Sequence, residues 1–188
     1  MGAKPGTGPR HGMLYPLTST PKFYYLVGEL GNTINTFSVE YTTDQLELKQ
    51  IQTLSTLSPT SPADVYPPPD STPAAASELA ISPCGSYVYV SNRGDHAFPG
   101  SDSIAFYTRN LETGLLTYVR SFPSGVTKMR HISLDPTGQW LVAEGQGSSD
   151  VKVLKRDTST GELSTTPVAS MAVKAGPEGG PACVVWLD

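Results

Sequence analysis

Ser82 to Asn92 reads SPCGSYVYVSN, and Asp135 to Gly145 reads DPTGQWLVAEG, 53 positions further on. Each is a Pro-x-Gly turn running straight into an apolar strand. Proline pre-sets φ at Pro83 and Pro136, and glycine at Gly85 and Gly138 supplies the permissive backbone that closes such a turn. TSTPKFYYLVGEL, around Pro21 to Leu30, is a degenerate third copy. A second turn follows in fixed order: ETGLLTYV from Glu112, STGELSTTP from Ser159, and TTDQLEL from Thr42 in the same place of the first copy. Between the two turns lie NTINTFSV, DSIAFYTR and DVKVLKRD, beginning at Asn32, Asp102 and Asp150. Their Val, Ile, Phe and Thr content is that of strands.

Each unit therefore reads strand, Pro-x-Gly turn, strand, loop, strand, Thr-Gly turn, strand. Units open near His11, Glu78 and Arg130, and PACVVWL from Pro181 reads as one further first strand. Four strands in a repeat of about 40–50 residues is the signature of a β-propeller. No window sustains a 3.6-residue period, which sets a helical solenoid aside. An open β-sandwich is the neighbouring alternative, but it rarely repeats its turn chemistry so regularly. The expected fold is all-β: a partial propeller of about three four-stranded antiparallel blades, over residues 10–58, 77–123 and 129–170, plus an extra strand at 181–187. The first interval is lengthened by the proline-rich run Pro59 to Ala76, PTSPADVYPPPDSTPAAA. Proline lacks the donor a ladder needs, so that run is expected to be an inserted loop.

Composition narrows the function classes. Of 188 residues, 13 are Lys or Arg and 17 are Asp or Glu, a net charge of −4. Nothing in this balance favours nucleic acid or an anionic membrane surface. No stretch reaches the roughly 20 apolar residues that a spanning helix requires. The first twelve residues, MGAKPGTGPRHG, show no apolar leader run. Met1-Gly2 lacks the Ser or Thr at position 6 of a myristoylation start. The two cysteines, Cys84 and Cys183, have no metal-ligand spacing and read as unpaired thiols of a reducing, cytoplasmic compartment. There is no P-loop, no Gly-x-Ser-x-Gly and no His-Glu-x-x-His. No metal or organic cofactor is expected.

GPRH (Gly8 to His11), VGEL (Val27 to Leu30), SELAISPCGSYVYVSNRG (Ser77 to Gly94), MRHISLDPTGQWLVAEGQ (Met129 to Gln146) and the closing GPACVVWL together resemble the lactonase-type seven-bladed propeller family. That family includes propeller-type 6-phosphogluconolactonases and fungal 3-carboxy-cis,cis-muconate cyclases. The resemblance covers nearly the whole chain outside the proline-rich run, and it is to the C-terminal half of family members. It implies an enzyme acting on an anionic sugar lactone or a carboxymuconate-type polycarboxylate, without a cofactor. It also implies that this chain is a truncated form, inactive alone because half the pocket wall is absent. The alternative is a non-catalytic propeller fragment or interaction module. Open blade faces would favour self-association.

Charged residues recur at equivalent places in the units. Arg10 and His11, then Glu78, then Arg130 and His131 stand at the starts of first strands, which lie nearest a propeller's axis. Glu29, then Asn92 and Arg93, then Glu144 and Gln146 close the second strands, at one rim. His11, Glu78 and Arg130 are the candidate catalytic residues: imidazole titrates near neutrality, a carboxylate can act as base or orient the imidazole, and guanidinium matches an oxyanion. Arg10, Arg93, Glu29 and Gln146 are the candidate substrate-binding residues. Charged groups at strand starts also cap hydrogen-bond ladders or pair across blades, and His131 and His96 read more simply as structural or solvated. Strand aromatics such as Tyr25, Tyr89, Phe106 and Trp186 read as packing between blades.

Overall fold

The computed structural model describes residues 5–16, 19–59, 73–95, 97–176 and 179–186. Twelve strands form three four-stranded antiparallel sheets in sequential order. The first blade contains β1 (Pro9–Tyr15), β2 (Phe23–Gly28), β3 (Thr33–Tyr41) and β4 (Leu46–Ser55). The second contains β5 (Ala75–Ile81), β6 (Tyr87–Arg93), β7 (Ser103–Arg109) and β8 (Leu116–Pro123). The third contains β9 (Met129–Leu134), β10 (Trp140–Gly145), β11 (Asp150–Lys155) and β12 (Ala169–Ala172). Inner strands β1, β5 and β9 pack side by side.

The middle blade shows why its strands read as continuous apolar runs. Successive strand residues face opposite sides of the sheet. Val88, Val90, Ala105 and Tyr107 join Tyr25, Val27 and Ile34 in a core against the first blade. Tyr89, Ile104 and Phe106 join Met129, Ile132, Leu141 and Leu154 in a core against the third. A sheet covered on both faces needs apolar side chains at both parities. The outer strand β4 alternates between exposed and half-buried positions along most of its length, so it reads half polar.

A repeated polar latch crosses both interfaces. The Tyr25 hydroxyl donates to the Gly114 carbonyl at 2.8 Å and accepts from Arg109 Nε at 2.5 Å. The Tyr89 hydroxyl donates to Gly161 O at 2.5 Å and accepts from Arg156 Nε at 2.6 Å. Each arginine also donates through Nη1 to the glycine carbonyl of its own blade's Pro-x-Gly turn, Gly85 O at 3.2 Å or Gly138 O at 2.8 Å. Both recurring turn signals are thus parts of one clamp on the preceding blade. Each guanidinium is buried and lies near aromatic rings, Arg109 at 4.5 Å from the Tyr15 centroid and Arg156 at 5.1 Å from that of Tyr87. Gly114 and Gly161 have φ of +72° and +80°, and a Cβ on either would fall 2.3 Å from Phe23 Cδ1 or 2.5 Å from Tyr87 Cδ1.

Three expectations change. Pro181 to Trp186 forms no strand; it lies against β9, with Trp186 Nε1 donating to Ser133 O at 3.3 Å. In the third blade the fourth strand does not follow the Thr-Gly turn directly. Leu163 makes a single bridge to Arg156, and β12 begins only at Ala169. Pro167, which has no N–H to give a ladder, stands in between. The end of the proline-rich run is also structural, since Ala75 and Ala76 open β5. Most of that run, residues 60–72, lies outside the described residues, as does His96.

Tyr89→Phe should cost about 1–3 kcal/mol, because it leaves a buried Arg156 donor without its acceptor. Urea denaturation of the two proteins measures this. A loss below about 0.5 kcal/mol would show that the latch is not what holds the second interface.

Candidate functional site

The candidate residues are brought together by a device with no signature in the sequence. Every inner strand slips register at the same point. In β1 the slip falls between Pro9 and Gly12, at Arg10 and His11. In β5 it falls between Ala76 and Leu79, at Ser77 and Glu78. Against β10, Glu144 faces His131 and Gly145 faces Met129, so Arg130 is the extra residue. A bulge leaves residues unpaired and re-aims their side chains. Here it turns Arg10, His11, Glu78 and Arg130 away from the regular pleat.

Several of the backbone groups released by the slips are taken up locally. Arg10 Nη1 donates to Ser77 O at 2.7 Å and to Arg130 O at 3.3 Å, so one guanidinium reaches from the first blade to the other two. Ser77 Oγ also donates to Arg130 O, at 2.8 Å. Ser91 and Glu144, equivalent positions of β6 and β10, accept the freed N–H groups of Glu78 (2.8 Å) and Arg130 (3.1 Å).

At the centre, Glu78 Oε2 lies 2.6 Å from His11 Nδ1 and 3.3 Å from His131 Nε2. The two imidazoles stand edge to face, with ring centroids 6.4 Å apart. The His11 side chain is 42% exposed, against 9% for Glu78 and 18% for His131, so His11 is the member open to a ligand. Burial pushes the Glu78 carboxyl up to about 7, against the opposing pull of the Leu79 N–H and the Arg10 charge. Burial and the charges of Arg10 and Arg130 lower the His11 pKa. Burial, then His11 and Arg10, lower that of His131. Near neutrality His11 is therefore neutral, with Nδ1 in close contact with Glu78 Oε2 and Nε2 available as a proton acceptor. A cleft of about 350 Å³ runs past this cluster, lined by His11, Met13, Glu78, His131 and strand residues up to Leu134.

The remaining candidates form a second group at the rim. Glu29 pairs with Arg93 Nη2 and, at 3.7 Å, with Arg10 Nε. Glu29, Arg93 and Gln146 line a cavity of about 800 Å³. Arg130 lies near enough to Arg10, His11 and Arg93 for its charge to lower the pKa of each. Beneath, Glu144 is fully buried, and burial raises its carboxyl to about 7 despite the Arg130 and His131 N–H groups and the Arg130 and Arg10 charges. Arg10 and Arg130 thus act on two carboxyls that are only partly ionised at pH 7, with Arg93 close to both arginines, a field suited to an anion.

His131 is the residue that sequence reasoning underrated. It touches the same carboxylate oxygen as His11. The signal was available in Arg10-His11 recurring as Arg130-His131, because equivalent positions of neighbouring inner strands converge on one axis. Cys84 and Cys183 are free and exposed.

The family profile described as "Lactonase, 7-bladed beta-propeller" matches residues 1–186. The chain belongs to that family. It is 45% identical over 183 residues to a protein from Arthroderma benhamiae named "Probable 6-phosphogluconolactonase", covering 97% of this chain and 42% of that protein. It is 30% identical over 164 residues to the 6-phosphogluconolactonase of Bacillus subtilis, covering 87% and 41%. A crystal structure from Bacteroides fragilis, provisionally assigned as a 6-phosphogluconolactonase, superposes with a TM-score of 0.75 at 25% identity, covering all of this chain and 44% of that one. The chain thus spans less than half the length of these relatives.

The raised carboxyls give a signed pH dependence of stability. Glu144 holds its proton in the folded chain up to about pH 7, whereas in the unfolded chain it releases it near 4.3. Between those values the folded state binds more protons, so stability falls as pH rises. Glu144→Gln should flatten the decline in melting temperature between pH 5 and pH 7.5. An unchanged decline in the variant would place its cause elsewhere.

Proposed function

We propose that this chain carries the acid–base half of a lactonase site that hydrolyses an anionic sugar lactone of the 6-phosphogluconolactone kind. The single observation that carries the reading is Glu78 held between His11 and His131 on bulged inner strands, with Arg10, Arg93 and Arg130 around it. The names of the relatives favour a sugar lactone over a carboxymuconate.

In this reading, His11 Nε2 takes a proton from water as its oxygen attacks the lactone carbonyl. Glu78 orients His11 through Nδ1 and stabilises the imidazolium that forms. Arg10, Arg93 and Arg130 hold the anionic substrate and face the oxyanion that forms from it. Collapse breaks the ring C–O bond, and the imidazolium returns its proton to the leaving alkoxide. The product is an open hydroxy acid, and atoms balance with water as the only co-reactant. The free thiols support the reducing, cytoplasmic setting expected above.

In a ring completed with the remaining blades, His11→Ala should lower turnover about 10²–10⁴-fold. The rate should rise with pH through about 7, as Glu78 ionises. Arg130→Ala should chiefly weaken binding, by about 1.5–3 kcal/mol. On the 188-residue chain the check is binding. Titration with 6-phosphogluconate should shift the imidazole resonances of His11 and His131 saturably, and Arg130→Ala should lose most of that affinity. A wild-type chain whose imidazoles do not respond overturns the reading.

A further inference from the structure

The rim cavity contains more than the sugar-lactone reading uses. Its walls combine Leu30, Pro73, Ala74, Ala75 and Phe98 with Arg93 and Lys128. Leu30 is 72% exposed, so its side chain is open to whatever enters the cavity. At about 800 Å³ the cavity is of the size that holds a drug-sized molecule, within the usual range of roughly 300–1,000 Å³. A polyol has no use for such a wall, whereas an apolar body does.

Its charges are unevenly matched. The Glu29 carboxylate is taken by Arg93 and Arg10. The Asp102 carboxylate accepts the backbone N–H groups of Gly94 and Met129, at 2.8 and 2.7 Å. Arg93 lines the cavity, and its buried Nε has no acceptor among the described residues. Lys128 is exposed and sits at φ +52°, in the left-handed region where a non-glycine residue is strained. The strand end holds it there: Gln146 N–H donates to Lys128 O at 3.3 Å and Gly147 N–H to Thr127 O at 2.9 Å. A strained lysine where glycine would be easier, on the wall of a cavity, points to a use for its side chain.

We propose that the rim cavity is a binding site for an amphiphilic monoanion, a carboxylate on an aryl or alkyl body. The anionic group lies between Lys128 Nζ and the Arg93 guanidinium, and the body rests on Leu30, Pro73 and Phe98. The site does not depend on hydrolysis at His11. Through Glu29, which pairs with both Arg93 and Arg10, it adjoins the histidine cluster.

The probe is 3-phenylpropionate, titrated into the chain by calorimetry and by NMR, with 3-phenylpropanol and inorganic phosphate as comparisons. Saturable one-to-one binding of the carboxylate is expected, with both comparisons weaker by roughly tenfold or more, the loss of one charge-assisted contact or of the buried ring. Phe98→Ala and Lys128→Gly should each weaken binding by a similar factor, while His11→Ala should leave it unchanged. Lys128→Gly should at the same time keep or raise the melting temperature, since glycine relieves the backbone. A Lys128→Gly chain that binds as tightly as wild type overturns the proposal, as does equal binding of the neutral alcohol or of phosphate. So does the absence of saturable binding in a folded wild-type chain.

Discussion

A tyrosine hydroxyl clamped between a buried guanidinium and a turn carbonyl fixes how one blade meets the next, and the site depends on that angle. His11, Glu78 and His131 sit on three different blades, and their 2.6 and 3.3 Å contacts exist only if the inner strands converge correctly. Apolar packing between the sheets is strong but tolerant of sliding. The latch is not, because Arg109 and Arg156 are buried without a carboxylate and must keep their carbonyl, hydroxyl and ring contacts. Breaking one partner of such a group costs its desolvation, which makes the geometry close to all-or-none. At the equivalent positions the first blade has Val39 instead of the arginine and the third has Val142 instead of the tyrosine, both read from strand register. The latch is confined to the two interfaces within this chain.

The second constraint is the backbone itself. Three register slips release N–H and carbonyl groups near the axis, where water cannot serve all of them. Much of the site's polar chemistry answers that need. Arg10 donates to two orphan carbonyls from one guanidinium, and Ser91 and Glu144 accept from the orphan N–H groups. Arg10, at a strand start, and Glu144, near a second-strand end, therefore both cap freed backbone groups. This capping does not compete with a functional reading, since the bulge that needs the cap also turns His11 and Glu78 into the cleft.

This explains which parts of the molecule were legible in the sequence. The Pro-x-Gly and Thr-Gly turns repeat in letters because each glycine carbonyl has the same kind of partner in the second and third blades, and blade number and strand order followed from them. The convergence of His11, Glu78 and Arg130 was legible for the same reason. The bulges were not, because a slip of register leaves composition and alternation almost untouched. His131 was discounted in consequence, since its role depends on a 3.3 Å approach across blades. PACVVWL has a strand's composition, yet a strand exists only when an edge of matching register lies beside it, and Pro181 to Trp186 shows no such ladder against β9.

Position within the unit also separates arginines that composition treats alike. Arg109 ends its third strand and Arg156 follows the end of its own; both are buried, with Nε committed to the neighbouring blade and Nη1 to their own turn. Arg10, Arg93 and Arg130 stand at inner-strand starts or second-strand ends and gather around carboxyls that burial keeps partly protonated. When Glu78 and Glu144 hold their protons the three guanidinium groups outweigh Glu29, and when both ionise that excess disappears. The field offered to an anion is therefore strongest below about pH 7, while the proton acceptor formed by His11 and the Glu78 carboxylate is fully made only above it. Binding and proton abstraction pull toward opposite sides of neutrality, and a site built this way works best in the narrow range where the two overlap.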